Sequence, residues 1–527
     1  MSDFTIKYIK NKSDILKTLE MSDLELNNAQ NYIPLYENFF VLNETNWNKI
    51  NLEHSKNLIE CITRPEFNKI ECKIYNSLSD NTETKNLFVK FSPLLDPIKF
   101  LVGKYDHTDE TIFNLPKWND SNCHKKVKNT LNSAYTDSFF SFLTSKLLNE
   151  YNFIHGLEFY GSFLGNLSNY KVNIFDDIEY ICESTFFNKN KDSLFRVDEE
   201  YYSIVCDSDS SDGKKPLKLG EKIDSLDIEQ ISLDEKELAP SVMSLKDLDS
   251  NISTIDDIVM TNNDNSMETI KSLSTNSTCS SRSSHTDNES QSNDTDEEMD
   301  LDEENSDDDS YSSDEEEGEV FAYIDEFPVS MICIESCKKT LDSYAFSNED
   351  DDSGVDVKPD EWLAILAQII MQLIVYQNVF SFTHNDLHTN NIMYIETDKQ
   401  YLYYNVQERF YKIPTFGKIW KIIDFGRAIY KIQGKLICSD SFSPGEDAAT
   451  QYNCEPFFDA NKPRLEPNFS FDLCRLGCAL FDYFLEPEFI HSKEELDDVQ
   501  KLILEWCTDD KGKNILYKKN GEERYPD

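Results

Sequence analysis

The stretch His384-Asn385-Asp386-Leu387-His388-Thr389-Asn390-Asn391 is followed, 33 residues later, by Asp424-Phe425-Gly426. The first stretch comes after an apolar run, 361–380, whose spacing predicts a helix. The second comes directly after the apolar run Ile419 to Ile423, which predicts a buried strand. Both polar stretches therefore stand at the ends of regular elements. We expect them to fold together so that their side-chain oxygens share one site.

These oxygens suit phosphoryl transfer. The reaction needs a carboxylate that orients the attacking hydroxyl and accepts its proton, and oxygen ligands that hold magnesium on the phosphates. Asp386 supplies the first, and Asn391 with Asp424 supplies the second. The structural alternatives are a loop turn with an Asx hydrogen bond for Asp386 and Asn391, and a strand-end turn for Asp424.

The two stretches resemble the catalytic loop and the metal-binding loop of protein kinases, with patterns His-Arg-Asp-Leu-x-x-x-Asn and Asp-Phe-Gly. The resemblance implies that Asp386 is the catalytic base and that Asn391 and Asp424 bind Mg²⁺, with Mn²⁺ as an alternative ion. It also implies that ATP is the phosphoryl donor. Gly426 is expected to permit the turn behind these ligands.

Two histidines of the first stretch have supporting roles in this interpretation. His384 is expected to pack and hydrogen-bond beneath the loop. His388 stands where serine/threonine kinases usually carry Lys, and a His there also occurs in small-molecule kinases. It either becomes protonated beside phosphate and helps catalysis, or has a positional role.

Three further segments match the kinase order. Lys90 in Leu87-Phe88-Val89-Lys90 resembles the lysine that binds the α- and β-phosphates, although an ordinary solvated lysine is the alternative. The segment 472–477 resembles Asp-x-Trp-Ser-x-Gly, so Asp472 and Gly477 are expected to support the catalytic loop. The segment 331–337 resembles the fifth strand and hinge. There the Glu335 carbonyl and the Cys337 amide are expected to meet the adenine edge, with Ile334 as gatekeeper.

The resemblance covers about residues 70 to 490 and implies an α+β, two-lobed protein-kinase-like fold with a β-rich N-lobe and a helical C-lobe. We expect residues 1–165 to form the N-lobe with an N-terminal extension, and 166–319 to be an insertion. Residues 320–527 are expected to form the hinge and the C-lobe. Apolar patterning predicts strands at 87–91, 159–163, 329–334 and 419–423, and helices at 134–148, 361–380, 471–485 and 493–506.

More narrowly, the stretches around Asp386 and Asp424 are similar to protein kinases of giant DNA viruses of amoebae. The abundance of Asn, Lys, Ile and Tyr, typical of an AT-rich genome, agrees with this resemblance. It implies an intracellular protein of the host cytoplasm, with association with the virion as an alternative.

The sequence departs from the kinase pattern in two places. No glycine precedes Gly103, so the Gly-rich loop that covers the phosphates is absent in its usual form. The partner of Lys90 is also not evident. Asp137 on the helix 134–148 is the nearest acidic candidate, with a helix-surface charge as its alternative, and Glu150 and Glu158 are weaker candidates.

Charge and cysteine content narrow the functional classes. About half of the net charge of −48 lies in residues 207–319, which hold 34 acidic and 8 basic residues and which we expect to be disordered. Such acidity disfavours nucleic acid and anionic membranes as partners. The 13 scattered cysteines suggest reduced thiols. No window is expected to span a membrane.

Three functions remain open. The first is a serine/threonine-protein kinase, whose protein substrate would be basic if the acidic insertion recruits it, rather than acting as a plain linker. The second is a small-molecule kinase of the aminoglycoside or choline type. The third is a catalytically inactive interaction module. Oligomeric state and activation mechanism are not encoded in any pattern that we recognise.

Overall fold

The computed structural model describes residues 4–10, 14–120, 122–197, 320–346, 357–485 and 496–517. The acidic stretch 207–319, for which we expect disorder, lies outside these residues. The described part is a mixed α and β structure, as the sequence predicts. One continuous hydrophobic core extends through it, from Ile6 near the start to Cys507 near the end.

A seven-stranded antiparallel sheet dominates the first half. Its order is β2-β7-β9-β6-β5-β4, with β8 also paired to β9. The strands of the first half are β1 (Tyr8–Lys10), β2 (Leu26–Gln30), β3 (Ile50–Leu52), β4 (Lys56–Glu66), β5 (Lys69–Asn76), β6 (Asn81–Pro93), β7 (Phe159–Asn173), β8 (Phe195–Val197) and β9 (Phe321–Glu335). β1 and β3 form a separate pair.

The centre of this sheet positions Lys90. β6 pairs with β9 so that Lys90 lies opposite Ile332, and alternating residues Val89 and Phe91 are buried on the other face. In a strand with this apolar–polar alternation, one face packs against the core and the side chains of the other face stay accessible to a ligand or to other polar groups. The lysine side chain therefore emerges on the face opposite Val89 and Phe91.

The helices of the first half are α1 (Ile15–Glu20), α2 (Pro97–Leu101), α3 (Lys125–Lys128), α4 (Ser133–Tyr151), α5 (Ile178–Glu183) and α6 (Thr185–Asn190). Helix α4 packs against β7 and β9 and is buried along most of its length. Asn132 caps its start, because the Asn132 side chain accepts a hydrogen bond from the Ala134 amide. Asn152, in the left-handed conformation, ends it.

The described residues of the second half form four α-helices and three small β pairs, joined by long irregular segments. Its helices are α7 (Leu341–Ala345), α8 (Pro359–Phe380), α9 (Phe471–Phe484) and α10 (Asp498–Trp506). Its strands are β10 (Ile392–Glu396), β11 (Tyr401–Val406), β12 (Arg409–Pro414), β13 (Lys418–Ile422), β14 (Ile429–Ile432) and β15 (Lys435–Cys438). They pair as β10–β13, β11–β12 and β14–β15.

The predicted strands and helices are all found, but β6, β7 and β9 are longer than predicted, and the start expected at 493 for the last helix lies outside the described residues. β7 continues to Asn173 and pairs with β9 down to Phe321. Residue 165, where we expected the N-lobe to end, therefore lies inside a strand. The helices α5 and α6 and the strand β8 also extend the sheet region to Val197.

One helix passes the length and composition test for a membrane span, and one cysteine departs from the expected reduced state. Among the described residues, helix α8 is long enough and apolar enough to cross a membrane, because no charged side chain lies between Trp362 and Phe380. Within the fold, 61% of that window is buried. The expectation of uniformly reduced thiols is wrong at Cys182, which is disulfide-bonded, although ten other described cysteines are free.

Candidate active site

The buried carboxylate of Asp472 fixes the start of the loop 384–391. The Asp472 carboxylate accepts hydrogen bonds from the backbone amides of His384 and Asn385, both at 2.8 Å. It stands in the first turn of α9 and is fully buried. Burial raises the pKa of Asp472, while His384 and the two amides oppose that rise. Asp472 thus fixes the backbone that leads into Asp386.

His384 connects this loop to the end of β13. Its Nε2 lies 2.9 Å from the Ile423 carbonyl oxygen, and its Nδ1 lies 3.3 Å from the Asp386 amide nitrogen. The Asp386 amide therefore donates to Nδ1, and Nε2 is placed to donate to the Ile423 carbonyl oxygen. The residue is completely buried. His384 thus joins the loop bearing Asp386 to the loop bearing Asp424.

Asn391 closes the loop onto itself. Its Nδ2 donates to the Asp386 carbonyl oxygen at 2.8 Å and lies 3.1 Å from His388 Nε2. Burial lowers the pKa of His388, although Asp386 raises it, so the ring is neutral near pH 7 and its Nε2 can accept this hydrogen bond. This geometry agrees with the positional role for His388, and the protonated role beside a bound phosphate stays a prediction.

Lys90 lies between two carboxylates. Its Nζ is 2.7 Å from Asp137 Oδ2 and 2.8 Å from Asp424 Oδ1. Asp137 is only 2% exposed, so the alternative of a helix-surface charge is wrong, and Lys90 is not an ordinary solvated lysine. The weaker candidates are engaged elsewhere, since Glu150 pairs with Lys146 and Glu158 pairs with Lys56.

The two carboxylates beside Lys90 differ electrostatically. Burial would raise the pKa of Asp424, but Lys90 outweighs burial and lowers this pKa to about 2. Burial raises the pKa of Asp137 despite the same lysine. Asp137 also accepts a hydrogen bond from the Phe425 amide at 3.0 Å. Asp424 is therefore firmly ionised, while Asp137 holds the backbone next to it.

The turn at 424–426 differs from the expectation in one detail. The left-handed backbone conformation belongs to Asp424, with φ of 60°, and Gly426 has no positive φ. A Cβ at position 426 would lie 3.3 Å from Asp424 Oδ1, so glycine leaves room for that carboxylate. Gly477 has a packing role, because a Cβ there would come within 3.0 Å of Cys507 Sγ in the segment after α10.

The site has oxygen atoms to offer a magnesium ion. Asn391 uses its Nδ2 for Asp386 and His388, and Asp424 uses its Oδ1 for Lys90 and Gly426. Among the described residues no hydrogen bond occupies Asn391 Oδ1 or Asp424 Oδ2. In the same part of the chain no group of three or more His, Cys, Asp or Glu could hold a metal. Mg²⁺, however, often takes only one or two protein oxygens together with substrate phosphates.

A pocket extends from Lys90 along the end of β9. Its polar end consists of Lys90, Asp137 and Asp424. The rest of its lining is mainly apolar and comprises Phe88, Ser141, Leu157, Ile332, Ile334, Glu335, Cys337, Met393 and Ile423. All three residues that we assigned to adenine contact, Ile334, Glu335 and Cys337, therefore lie in the same pocket as Lys90. An apolar slot with one charged end suits a flat heterocycle that carries phosphates.

The segment 331–337, which we expected to be the hinge, contributes to a buried ion pair that the sequence analysis missed. Glu335 Oε1 accepts hydrogen bonds from Lys421 Nζ at 2.5 Å and from the Glu158 amide at 2.8 Å. Lys421 is 1% exposed and also donates to the Gly156 carbonyl oxygen. The signal was a lysine within the apolar run of β13, since such a charge is buried only with a partner. The Cys337 amide has no hydrogen-bond partner among the described residues, so it can serve a ligand.

Arg427 is a second missed residue. Its Nη1 lies 3.3 Å from Asp386 Oδ1, and its Nη2 lies 2.7 Å from Asp447 Oδ2. The arginine directly follows Asp424-Phe425-Gly426, which was the available signal. It places a fixed positive charge next to the carboxylate that we expect to act as base.

Comparison with known proteins adds little to this geometry. No protein-family model matches the chain. A 66-residue stretch is 30% identical to the uncharacterized protein ZK177.2 of Caenorhabditis elegans. The match covers 12% of this chain and 22% of that protein's length.

Proposed function

We propose that this chain is a protein kinase that transfers the γ-phosphoryl group of Mg-ATP to a serine or threonine of another protein. In this proposal the sheet region and the helical region are the two lobes of a protein-kinase-like fold. One observation carries the proposal. Lys90, Asp137 and Asp424 meet within ion-pair distance at the charged end of the same pocket that Ile334, Glu335 and Cys337 line.

Binding of the nucleotide would use the length of this pocket. The base would lie in the apolar part, where the Cys337 amide can donate to its edge. The triphosphate would extend toward Lys90, whose ammonium group binds phosphate oxygens as a point charge. Asn391 and Asp424 would hold Mg²⁺ through their available oxygens, and the ion when bound would neutralise charge on the phosphates.

Transfer would depend on Asp386. Its carboxylate would accept the proton of the attacking hydroxyl as the oxygen–phosphorus bond forms and the bond to ADP breaks. Asp472, through the His384 and Asn385 amides, holds the loop at the required place. Arg427, which contacts Asp386 at 3.3 Å, would have to give way where the substrate hydroxyl approaches this carboxylate.

Two features favour a second candidate, a nucleotide-binding module without transfer. Lys90 already contacts Asp424, and the β4–β5 turn between Glu66 and Lys69, which contains no glycine, has no counterpart of the usual phosphate cover. The Lys90–Asp424 contact can open when a charged ligand binds, so it does not remove the capacity for transfer. The two features make the distinction between the two candidates a matter for an assay.

The assay offers γ-labelled ATP and Mg²⁺ with basic proteins, casein and small amino alcohols. Its controls are Asp386→Ala and, as a matched exposed carboxylate, Asp398→Ala. Label on protein serine or threonine, lost in Asp386→Ala and kept in Asp398→Ala, is the expected result. Label in an amino alcohol would establish a small-molecule kinase instead. Nucleotide binding with no transfer to any acceptor would establish the inactive module.

A further inference from the structure

A buried cluster of charges joins the segment after Asp424 to the sheet region. Lys126 Nζ lies 3.2 Å from Asp440 Oδ2 and 3.1 Å from Glu446 Oε2. Lys99 Nζ lies 2.9 Å from the same Glu446 oxygen and donates to the Gly445 carbonyl oxygen. The side chains are 2% to 20% exposed, so solvent screens these pairs weakly. We call these four side chains, Lys99, Lys126, Asp440 and Glu446, the lysine–carboxylate cluster.

Asp440 also holds the beginning of helix α4. Its Oδ1 accepts a hydrogen bond from the Ser133 amide at 2.9 Å, and its own amide donates to the Leu131 carbonyl oxygen at 2.8 Å. The first amides of a helix have no partner within the helix, and a carboxylate there is favoured by the helix dipole. Asp440 therefore supplies a helix cap from a position 307 residues further along the chain.

The helix held in this way carries a site residue. One turn beyond Ser133, Asp137 binds Lys90 Nζ and the Phe425 amide. The path from Asp440 through the start of α4 to Asp137 and back to Phe425 forms a closed loop of contacts. The position of Asp440 thus bears directly on whether Lys90 and Asp424 stand at the pocket.

In kinases regulated by phosphorylation, a phosphate group on this segment binds cations and orders both the segment and the neighbouring helix. Here the cations are already neutralised by Asp440 and Glu446. Ser439 is fully buried, Ser441 is 7% exposed, and the Ser443 hydroxyl donates to the Asp440 carbonyl oxygen.

The catalytic loop also lacks a cation at the position where the resembled pattern has arginine. Asn385 occupies that position, and its side chain bonds to the carbonyl oxygens of Thr383 and Arg427 and to the Tyr452 hydroxyl. These are neutral partners, and Tyr452 belongs to the same segment as Asp440. A phosphate would find a carboxamide here instead of a guanidinium.

We propose that the lysine–carboxylate cluster takes the place of a phosphate group, with Asp440 and Lys126 as positioning residues that hold α4 and the segment after Asp424 in their working arrangement. Phosphorylation of that segment is then not needed for activity. This inference rests on the proposed kinase function for its catalytic consequence. The anchoring of α4 by Asp440 stands independently of that function.

The first test uses the full chain treated with a broad-specificity protein phosphatase until intact mass shows no phosphate. The phosphatase is removed before turnover of Mg-ATP with a protein acceptor is measured. Unchanged turnover is expected, and turnover lost on dephosphorylation and regained on rephosphorylation of this segment would overturn the proposal.

The second test compares amide hydrogen exchange in Asp440→Asn, Lys126→Met and the surface control Glu60→Gln. Faster exchange in both 129–140 and 438–448, with circular dichroism unchanged, is expected for the first two variants alone. Where transfer is measurable, their kcat should fall about 10- to 100-fold with little change in KM for the acceptor, as expected for a misplaced catalytic group.

The exchange readout separates the two proposals. If the wild-type chain transfers no phosphoryl group, the kinase function fails, while exchange still decides whether the cluster anchors α4. If both cluster variants exchange like Glu60→Gln, the anchor is absent whatever the enzyme does. Should Asp440→Asn fail to fold, Lys126→Met carries the test, because it leaves both backbone contacts of Asp440 in place.

Discussion

The two sides of the pocket are stabilised in different ways. On the sheet side, Lys90 is placed by the continuous backbone pairing of β6 with β9 and by the burial of Val89 and Phe91. On the loop side, Asp386 and Asp424 are placed by a few hydrogen bonds that involve buried polar side chains. The main one is Asp472, which accepts from the backbone amides of His384 and Asn385.

This difference predicts how each side responds to mutation. A ladder of strand hydrogen bonds spreads its energy over many residues, so the loss of one surface side chain changes little. A loop held by one buried carboxylate concentrates its energy in a few atoms, so the loss of that group leaves several polar partners unsatisfied. The loop side should therefore show the larger effects, on activity first and on stability second.

The largest effect is expected at Asp386. Asp386→Ala removes the proton acceptor, and loss of a general base lowers turnover by a factor of about 10² to 10⁴. The free energy of unfolding should change little, because the carboxylate is partly exposed and contacts Arg427 at 3.3 Å. Steady-state kinetics and urea denaturation of the same samples check both statements. A variant with wild-type turnover would contradict the assignment.

The next effect is expected at Asp472. Asp472→Ala leaves the His384 and Asn385 amides buried without an acceptor, at about 1 to 3 kcal/mol for each. The free energy of unfolding should thus fall by about 2 to 6 kcal/mol. Asp482→Ala, on the same helix, is the matched control: it removes one exposed acceptor, that of the Tyr517 hydroxyl, and should lower the free energy of unfolding by no more than about 1 kcal/mol. Equal losses in urea melts of the two variants would refute the role of Asp472.

A pH-dependent effect is expected where the sheet side meets the loop side. His155 is buried, its Nδ1 lies 2.7 Å from the Trp420 carbonyl oxygen and its Nε2 lies 2.7 Å from the Tyr404 hydroxyl. Burial lowers the pKa of His155 to about 3. As pH falls from about 6.5 toward 3, the unfolded chain binds a proton that the folded chain does not, so stability is lost in that window.

The expected slope is about 1.4 kcal/mol per pH unit for this one group. Urea denaturation between pH 7 and pH 4 measures it. His155→Gln removes the titrating group, so the slope of the free energy of unfolding against pH should be smaller than in the wild-type chain by about 1.4 kcal/mol per pH unit. A slope that is the same in both proteins would show that His155 does not carry this dependence.

The smallest effect is expected on the outer strands of the sheet. Glu60 and Lys73 form a cross-strand pair at 2.7 Å between β4 and β5, with both side chains over 40% exposed. Pairs of this kind contribute about 0 to 1 kcal/mol because water screens them. Glu60→Gln should leave turnover unchanged and lower the melting temperature by no more than a few degrees. A loss of stability in Glu60→Gln as large as that in Asp472→Ala would show that the two sides of the pocket do not differ in the way proposed.

The sequence predicted the local elements well, and several residues that it assigned to one site lie close together in the fold. Apolar spacing located α4, α8 and the strand that carries Lys90, and the polar stretches at 384–391 and 424–426 meet through His384 and Ile423. These features depend on residues close together in the chain. The lengths of β7 and β9 were underestimated because their outer halves are amphipathic and are defined by pairing with each other.

The contacts across the chain could not be predicted from local patterns. Lys90 and Asp137 are 47 residues apart, and Lys126 and Asp440 are 314 residues apart. Asp137 was a candidate partner of Lys90 only through the kinase resemblance, and no local pattern connected Lys126 with Asp440, because charged side chains of these types are usually solvated. Lys421, a lysine within an apolar strand, was the one available signal of a buried ion pair. Its partner, Glu335, could be identified only from the structure.

The most direct test of the central claim is covalent labelling with an acyl phosphate of ATP, which acylates lysines that lie beside bound phosphates. The full chain is labelled with Mg²⁺ present, digested and analysed by mass spectrometry, with Asp424→Asn and Asp398→Asn alongside. The account predicts label on Lys90 that excess ATP prevents, that Asp424→Asn reduces and that Asp398→Asn retains. Label on surface lysines alone, unaffected by ATP, would contradict the account.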